Sequence, residues 1–319
     1  MRFEGRLPAA AARRRFVAVL VALFAGGALT GVIAGCGVEP AAEDERPLVV
    51  TTFTILQDFA DRVAGEHLRV RTLVPTGAEV HEWELTPENF VDLETASLLL
   101  YNGYNIEQWM QQARSAAGPG VDFIPLAERT DFEPLPIVLG DFEGDPDPHL
   151  WMDPRMAAGY VAVIRDAFVA LDPDNAEAYE RNAASTIELF HALYEELQAT
   201  LAEIPAERRV LVTSEAAFLY FADAFDFEHQ GIWGTNHEDE GTPDQIVRVV
   251  DLVSDRGVST VFFESTISDR HVRSVAEDTG ARVAGPLYVD SVTPPGGEAP
   301  DYVAMLRRNA EILVEHLRD

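Results

Sequence analysis

The sequence from Leu48 to Gly77 reads LVVTTFTILQDFADRVAGEHLRVRTLVPTG and contains the pattern that indicates the fold class. Its first six residues are apolar or β-branched and predict a buried strand over Leu48–Phe53. Apolar residues then recur at helical spacing over Ile55–Val63, and a second strand over Leu68–Val74 ends at Pro-Thr-Gly. Strand, helix and strand in this order predict a mostly parallel sheet with helical crossovers.

The same alternation continues to the C-terminus. The segment Ala176–Ile204 contains neither Gly nor Pro and repeats its apolar residues at helical spacing, so it predicts one helix. At 1.5 Å per residue this helix is about 43 Å long, which is longer than one lobe needs. We therefore predict an α/β fold with two lobes, each a mostly parallel sheet flanked by helices, joined by one long rigid helix. The predicted boundaries are 47–174 for the N-terminal lobe, 175–205 for the linking helix and 206–319 for the C-terminal lobe.

The N-terminal residues differ from the rest. Three arginines, Arg13 to Arg15, precede an apolar run from Phe16 to Ala34, and small residues follow before Cys36. A basic segment, an apolar segment and small residues before a cleavage point are typical of an export signal. We expect a signal peptide over residues 1–35, a flexible tether over 36–46 and an extracytoplasmic location for the remainder. The alternative is an uncleaved membrane anchor, because the apolar run is about long enough to span a bilayer.

Composition excludes several classes of protein. The chain has 319 residues, of which 47% are hydrophobic and one is Cys, so it can bury a core but cannot build a disulfide framework. Its 54 acidic residues against 24 basic ones give a formal charge of −30, which argues against binding to nucleic acid. No residue is Lys, which coding bias toward Arg and life in high salt explain equally well.

Two of the eight histidines, His81 and His149, stand out by the residues around them. His81 lies in GAEVHEWE after a predicted strand, and His149 lies in DPHLWMDP before a predicted helix. Each is followed two residues later by Trp, and loops at strand ends often carry functional residues. Both are therefore candidate ligands. Glu215 and Asp290 also follow predicted strands, but Glu215 alone is better explained as a helix N-cap.

Several segments together resemble a known family. In chain order they read GAEVHEWELTP, YNGYNIEQW, DPHLWMDP, YERNAA, TSEAAFLYFADAF, FFESTIS and YVDS. They are similar to the cluster A-I family of metal-binding substrate-binding lipoproteins of ABC importers, and the resemblance runs from residue 47 to the C-terminus. It implies one divalent metal ion, bound in the cleft between the lobes by His81, His149, Glu215 and Asp290. It also implies that Glu264 orients one of these ligands.

The resemblance also implies the cellular setting. Cys36 follows Ala-Gly as in a lipobox, so we expect a lipid on Cys36 to hold the protein at the outer face of the cell membrane. The expected partners are the permease subunits of an ABC importer, to which a monomeric, non-enzymatic receptor delivers its metal. Cell adhesion, a role described for some relatives, would be secondary.

The third ligand position bears on the choice of metal. Zinc-type members of the family usually have His there and manganese- or iron-type members usually have Glu, and here the residue is Glu215. Two imidazoles and two carboxylates suit Mn²⁺ or Fe²⁺, whereas Zn²⁺ prefers nitrogen-rich four-coordinate sites. The acidic loop DFEGDPDP contains no His where zinc-type members often have a His-rich loop. We therefore expect Mn²⁺ or Fe²⁺, with zinc delivery as the alternative.

A secreted metalloenzyme is the further alternative. The chain contains no H-E-x-x-H, H-x-x-E-H or G-x-S-x-G motif. Four protein ligands would also leave little room for a substrate or an activated water. His237 and Glu238 lie in the acidic segment HEDEGTP, which we interpret as a solvated loop.

Overall fold

Strands and helices alternate in the N-terminal half, as its sequence predicts. The computed structural model describes residues 44–234 and 241–319. The strands of this half form one parallel sheet in the order β2-β1-β3-β4: β1 (Leu48–Thr51), β2 (Arg69–Thr72), β3 (Leu98–Tyr101) and β4 (Asp122–Pro125). Parallel pairing requires crossover connections, and these contain α1 (Thr54–Ala64), α2 (Pro87–Thr95) and α3 (Met110–Ala116). The carboxyl ends of all four strands therefore meet at one edge.

The C-terminal half repeats this construction. Strand β5 (Val210–Glu215) pairs in parallel with β6 (Glu228–Trp233), and β7 (Thr260–Glu264) pairs in parallel with β8 (Arg282–Leu287). Strands β5 and β7 lie side by side. The helices of this half are α6 (Leu219–Phe225), α7 (Pro243–Arg256), α8 (Arg270–Thr279) and α9 (Tyr302–Leu317). The predicted α/β class with parallel sheets is confirmed.

One long helix packs against both halves. Helix α4 (Pro154–Leu171) is followed by α5 (Ala176–Leu201), whose 26 residues contact α1, α4 and α9. At 1.5 Å per residue α5 is about 39 Å long. It ends three residues earlier than predicted because Ile204 N–H bonds to the Leu201 carbonyl in a tight turn.

The two halves share one apolar core. Phe59 of α1 packs against Phe190 of α5 and Tyr302 of α9, with ring centroids 5.2 and 4.8 Å away. A second, smaller cluster lies within the C-terminal half and includes Val212 and Val249. Because the larger cluster draws residues from both halves, any wide opening between them would expose packed aromatic rings to water.

Several expectations fall on residues that are not described. The predicted signal peptide over residues 1–35, Cys36, and the pair His237 and Glu238 all lie outside the described residues. Within residues 44–234 and 241–319, no helix is both long enough and apolar enough to cross a bilayer.

Candidate metal centre

His81 lies in the loop between β2 and α2, at the carboxyl edge of the N-terminal sheet. Its backbone N–H donates to Glu79 Oε1 at 2.9 Å, and the preceding Val80 carbonyl accepts from Trp109 Nε1–H at 2.8 Å. These two bonds fix the backbone on either side of the imidazole. The His81 side chain is fully buried.

His149 is oriented by the acid that precedes it. Asp147 Oδ1 accepts from the His149 backbone N–H at 2.9 Å and lies 3.1 Å from His149 Nδ1. An ionised carboxylate can only accept, so Nδ1 carries the proton and Nε2 presents its lone pair. Among the described residues, the buried His149 Nε2 has no hydrogen-bond partner. A buried nitrogen without a partner is costly unless a ligand occupies it.

Glu215 is the last residue of β5, and its backbone is fixed on both sides. Glu264 Oε1 accepts from the Glu215 N–H at 2.9 Å, and Glu264 Oε2 accepts from the Ser214 N–H at 3.3 Å. On the other side, Thr213 Oγ1–H donates to the Glu215 carbonyl at 2.6 Å. Burial raises the pKa of Glu264 to about 7. The predicted N-cap role for Glu215 is wrong, because α6 begins only at Leu219 with Phe218 at its N-cap.

The hydrogen bonds behind Glu215 extend to a buried histidine of β6. His229 Nε2 lies 2.8 Å from Thr213 Oγ1, which already donates its own proton, so the imidazole is the donor. Burial, together with the nearby His149, lowers the pKa of His229 to about 3. His229 therefore stays neutral at physiological pH.

Asp290 lies three residues beyond the end of β8. The Val289 carbonyl before it accepts from Trp151 Nε1–H at 3.0 Å, which ties the Asp290 segment to the His149 segment. Asp290 Oδ1 is buried and has no hydrogen-bond partner in the described part of the chain. Burial raises the pKa of Asp290 to about 7, although the nearby His149 opposes the rise.

The four predicted side chains converge. Ligand atoms of His81, His149 and Asp290 all lie within 4.8 Å of one another. Glu215 Oε1 lies 3.6 Å from His81 Nε2 and 3.8 Å from His149 Nε2. Donors about 2.1 Å from one ion are about 3.4 Å apart in tetrahedral geometry and about 4.2 Å apart when opposite each other, so this set is close to a coordination shell. None of the four residues is more than 2% exposed.

Three residues beside these four were not assigned a role from the sequence. Asp147 and Glu79 each lie two residues before a candidate His, so an acid at that spacing was a usable signal. His229 carried no such signal, since its contact with Thr213 arises only from the pairing of β5 with β6.

Comparisons with known proteins agree with this architecture. Residues 49–316 match the family described as zinc-uptake complex component A, periplasmic, and the chain belongs to this family. It is 37% identical over 299 residues to the iron-binding protein YfeA of Yersinia pestis, covering 93% of this chain and 95% of that protein. It is also 37% identical over 306 residues to the manganese-binding lipoprotein MntA of Halalkalibacterium halodurans, covering 95% and 97%.

A solved structure shares the fold. The manganese-bound periplasmic metal-binding protein of Candidatus Liberibacter asiaticus superposes with a TM-score of 0.77 at 30% identity. The match covers 85% of this chain and 100% of that one. The family resemblance drawn from the sequence motifs is thereby confirmed.

Proposed function

We propose that the protein is the metal-binding receptor of an ABC importer, which captures one divalent ion and delivers it to the permease. The observation that carries this proposal is the convergence of four buried donor side chains from separate segments: His81, His149, Glu215 and Asp290. Family membership and the metal-binding names of the relatives support the same function.

The proposed cargo is Mn²⁺ or Fe²⁺. Two neutral imidazoles and two carboxylates offer a mixed nitrogen and oxygen set, and a carboxylate that binds through both oxygens raises the coordination number. The similar proteins named for iron and manganese support this choice. Zinc delivery is the second candidate, because the family description names zinc uptake. Zn²⁺ also binds most such sites more tightly than Mn²⁺, so affinity alone does not identify the cargo.

Capture requires deprotonated ligands. The lone pair of His149 Nε2 faces the site because Asp147 holds the proton on Nδ1, and an incoming cation displaces the proton that burial favours on Asp290. The bond from Trp151 to the Val289 carbonyl couples the His149 and Asp290 segments. The shared core favours small adjustments between the halves over a wide hinge motion.

The proposed setting is the outer face of the cell membrane, with a lipid on Cys36 and the permease subunits as partners. We propose a monomer without enzymatic activity, since four protein donors leave little space at the ion for a reacting water. Replacing Cys36 with Ser is expected to release the protein from the membrane fraction. Continued membrane association of that variant would contradict lipid anchoring.

Metal analysis tests the proposed cargo. Protein purified without added metal and without chelators is expected to carry about one Mn or Fe atom per chain by mass spectrometry. Competitive titration of Mn²⁺ against Zn²⁺ should shift toward Zn²⁺ by about tenfold or more in Glu215→His. Glu82→His adds an imidazole on an exposed residue of the His81 loop and serves as the matched control. An unchanged ratio in Glu215→His would show that Glu215 does not set the preference.

A further inference from the structure

The four proposed ligands are buried, so an incoming ion needs a first contact nearer to solvent. Glu79 provides one, because 31% of its side chain is exposed while it lies against the buried His81. We propose that Glu79 is the entry ligand of the metal centre: it binds the arriving ion together with His81 and passes it to the buried donors. This inference rests on the proposed function of metal capture.

Distances around His81 Nε2 carry the argument. Glu79 Oε1 lies 3.8 Å from this nitrogen, and Glu215 Oε1 lies 3.6 Å from the same nitrogen. Two donors about 2.2 Å from one ion and about 120° apart are about 3.8 Å from each other. One ion can therefore be bound by His81 and Glu79, and then by His81 and Glu215. The imidazole remains a ligand while one carboxylate replaces the other.

Glu79 is held in position for this exchange. Its Oε1 accepts from the His81 backbone N–H at 2.9 Å, and its Oε2 accepts from the Glu82 backbone N–H at 3.1 Å. These bonds stop the carboxylate from turning away into solvent. A carboxylate oxygen has two lone-pair sites, so a bond from one N–H does not by itself prevent that oxygen from binding a cation.

A purely orienting role for Glu79 predicts different kinetics. A residue that only positions His81 would change the stability of the bound state, so its loss would raise the dissociation rate and weaken affinity. An entry ligand contacts the ion both when it enters the centre and when it leaves. Its loss slows association and dissociation together and leaves the equilibrium affinity nearly unchanged.

Stopped-flow binding of Mn²⁺ to the purified protein distinguishes the two roles. The Trp151 ring lies 5.3 Å from the His149 ring, so indole fluorescence reports occupancy of the centre. Glu79→Gln removes the charge but keeps an oxygen that accepts from the His81 N–H. Glu82→Gln is the matched control, since it removes the same charge from an exposed residue of the same loop.

For Glu79→Gln we expect the association and dissociation rates each to fall by about tenfold and Kd to change by less than about threefold. A fall of this size in the association rate exceeds what general steering by one surface charge explains. For Glu82→Gln we expect rates within about twofold of the parent protein. The effect of Glu79→Gln should persist at about 1 M salt, where the Debye length is about 3 Å and long-range steering is screened.

Three results would overturn the inference: an unchanged association rate in Glu79→Gln, an equal slowing in Glu82→Gln, or faster dissociation alone. The proposed function fails differently, through absence of Mn²⁺, Fe²⁺ and Zn²⁺ binding by the parent protein. Melting curves of both variants check that each is folded.

Discussion

Metal affinity should fall steeply when the pH is lowered from 7.5 to 5.5. Burial raises the pKa of Asp290 to about 7, and this carboxyl must lose its proton before it can bind a cation. Proton competition by one group of pKa about 7 weakens binding about 1.3-fold at pH 7.5 and about 30-fold at pH 5.5. Asp290 alone therefore predicts a loss of about 25-fold.

His149 adds to this loss. Burial lowers the pKa of this imidazole, but the charge and hydrogen bond of Asp147, together with the charges of Asp290 and Glu264, raise it by more, so the net shift of the pKa is upward. A protonated His149 cannot bind metal, so its proton competes increasingly as the pH falls through its raised pKa. The loss for the whole site is therefore expected to exceed the loss from Asp290 alone.

Competition titrations of Mn²⁺ against a chelator of known pH dependence measure this loss. Calorimetry in two buffers of different ionisation enthalpy counts the protons released on binding. We expect at least one proton per ion at pH 6, falling as the pH rises above 7. The Asp290→Asn variant should bind more weakly with a flatter pH profile. If the affinity changed by less than about threefold over this range and no proton were released, proton competition at Asp290 would be excluded.

Three further predictions concern two residues that contact the ligand segments, Asp147 and Trp151, and one buried carboxyl of the N-terminal half, Glu107. Asp147→Asn should weaken Mn²⁺ binding by about 10- to 100-fold because the Nδ1–H of His149 loses its charged acceptor. Equal Mn²⁺ affinity in the parent protein and this variant would exclude the orienting role of Asp147. Trp151→Phe leaves the Val289 carbonyl without its donor, so chemical denaturation should show a loss of about 1–3 kcal/mol together with weaker Mn²⁺ binding. Burial raises the pKa of Glu107 from 4.5 to about 7. The contribution of its protonated form to the free energy of unfolding is therefore complete below about pH 4.5 and is lost as the pH rises through about 7. Its replacement by Gln should flatten the dependence of melting temperature on pH in that window, and an unchanged slope would contradict a buried titrating carboxyl.

The elements were predictable from the sequence wherever the pattern is local. LVVTTF indicates β1 because a strand covered on both faces needs a continuous apolar run. The strand is shorter than this run: it ends at Thr51, and α1 begins at Thr54 with Phe53 at its N-cap. Thr followed by Pro is a typical helix start, and α7 begins at Thr242-Pro243 with a capping box between Thr242 and Gln245. Helix α3 was not predicted, since Met110–Ala116 is short and has one buried residue. The sheet order β2-β1-β3-β4 depends on pairing between distant segments and is not written in any single window.

The site was only partly predictable, for a related reason. His81 and His149 stood out because acids and Trp flank them in the sequence. Glu215 and Asp290 gained their role from the family resemblance, because each alone is one carboxylate among many. The residues that fix these side chains act through contacts that only folding creates, such as the bond from Trp151 to the Val289 carbonyl 138 positions along the chain.

A crystal structure of the protein grown with Mn²⁺, with anomalous scattering data at the Mn edge, would locate the bound ion. We predict one anomalous peak about 2.0–2.4 Å from a donor atom of each of His81, His149, Glu215 and Asp290. An ion bound elsewhere, or an ion that any of these four side chains does not touch, would contradict the proposed metal centre.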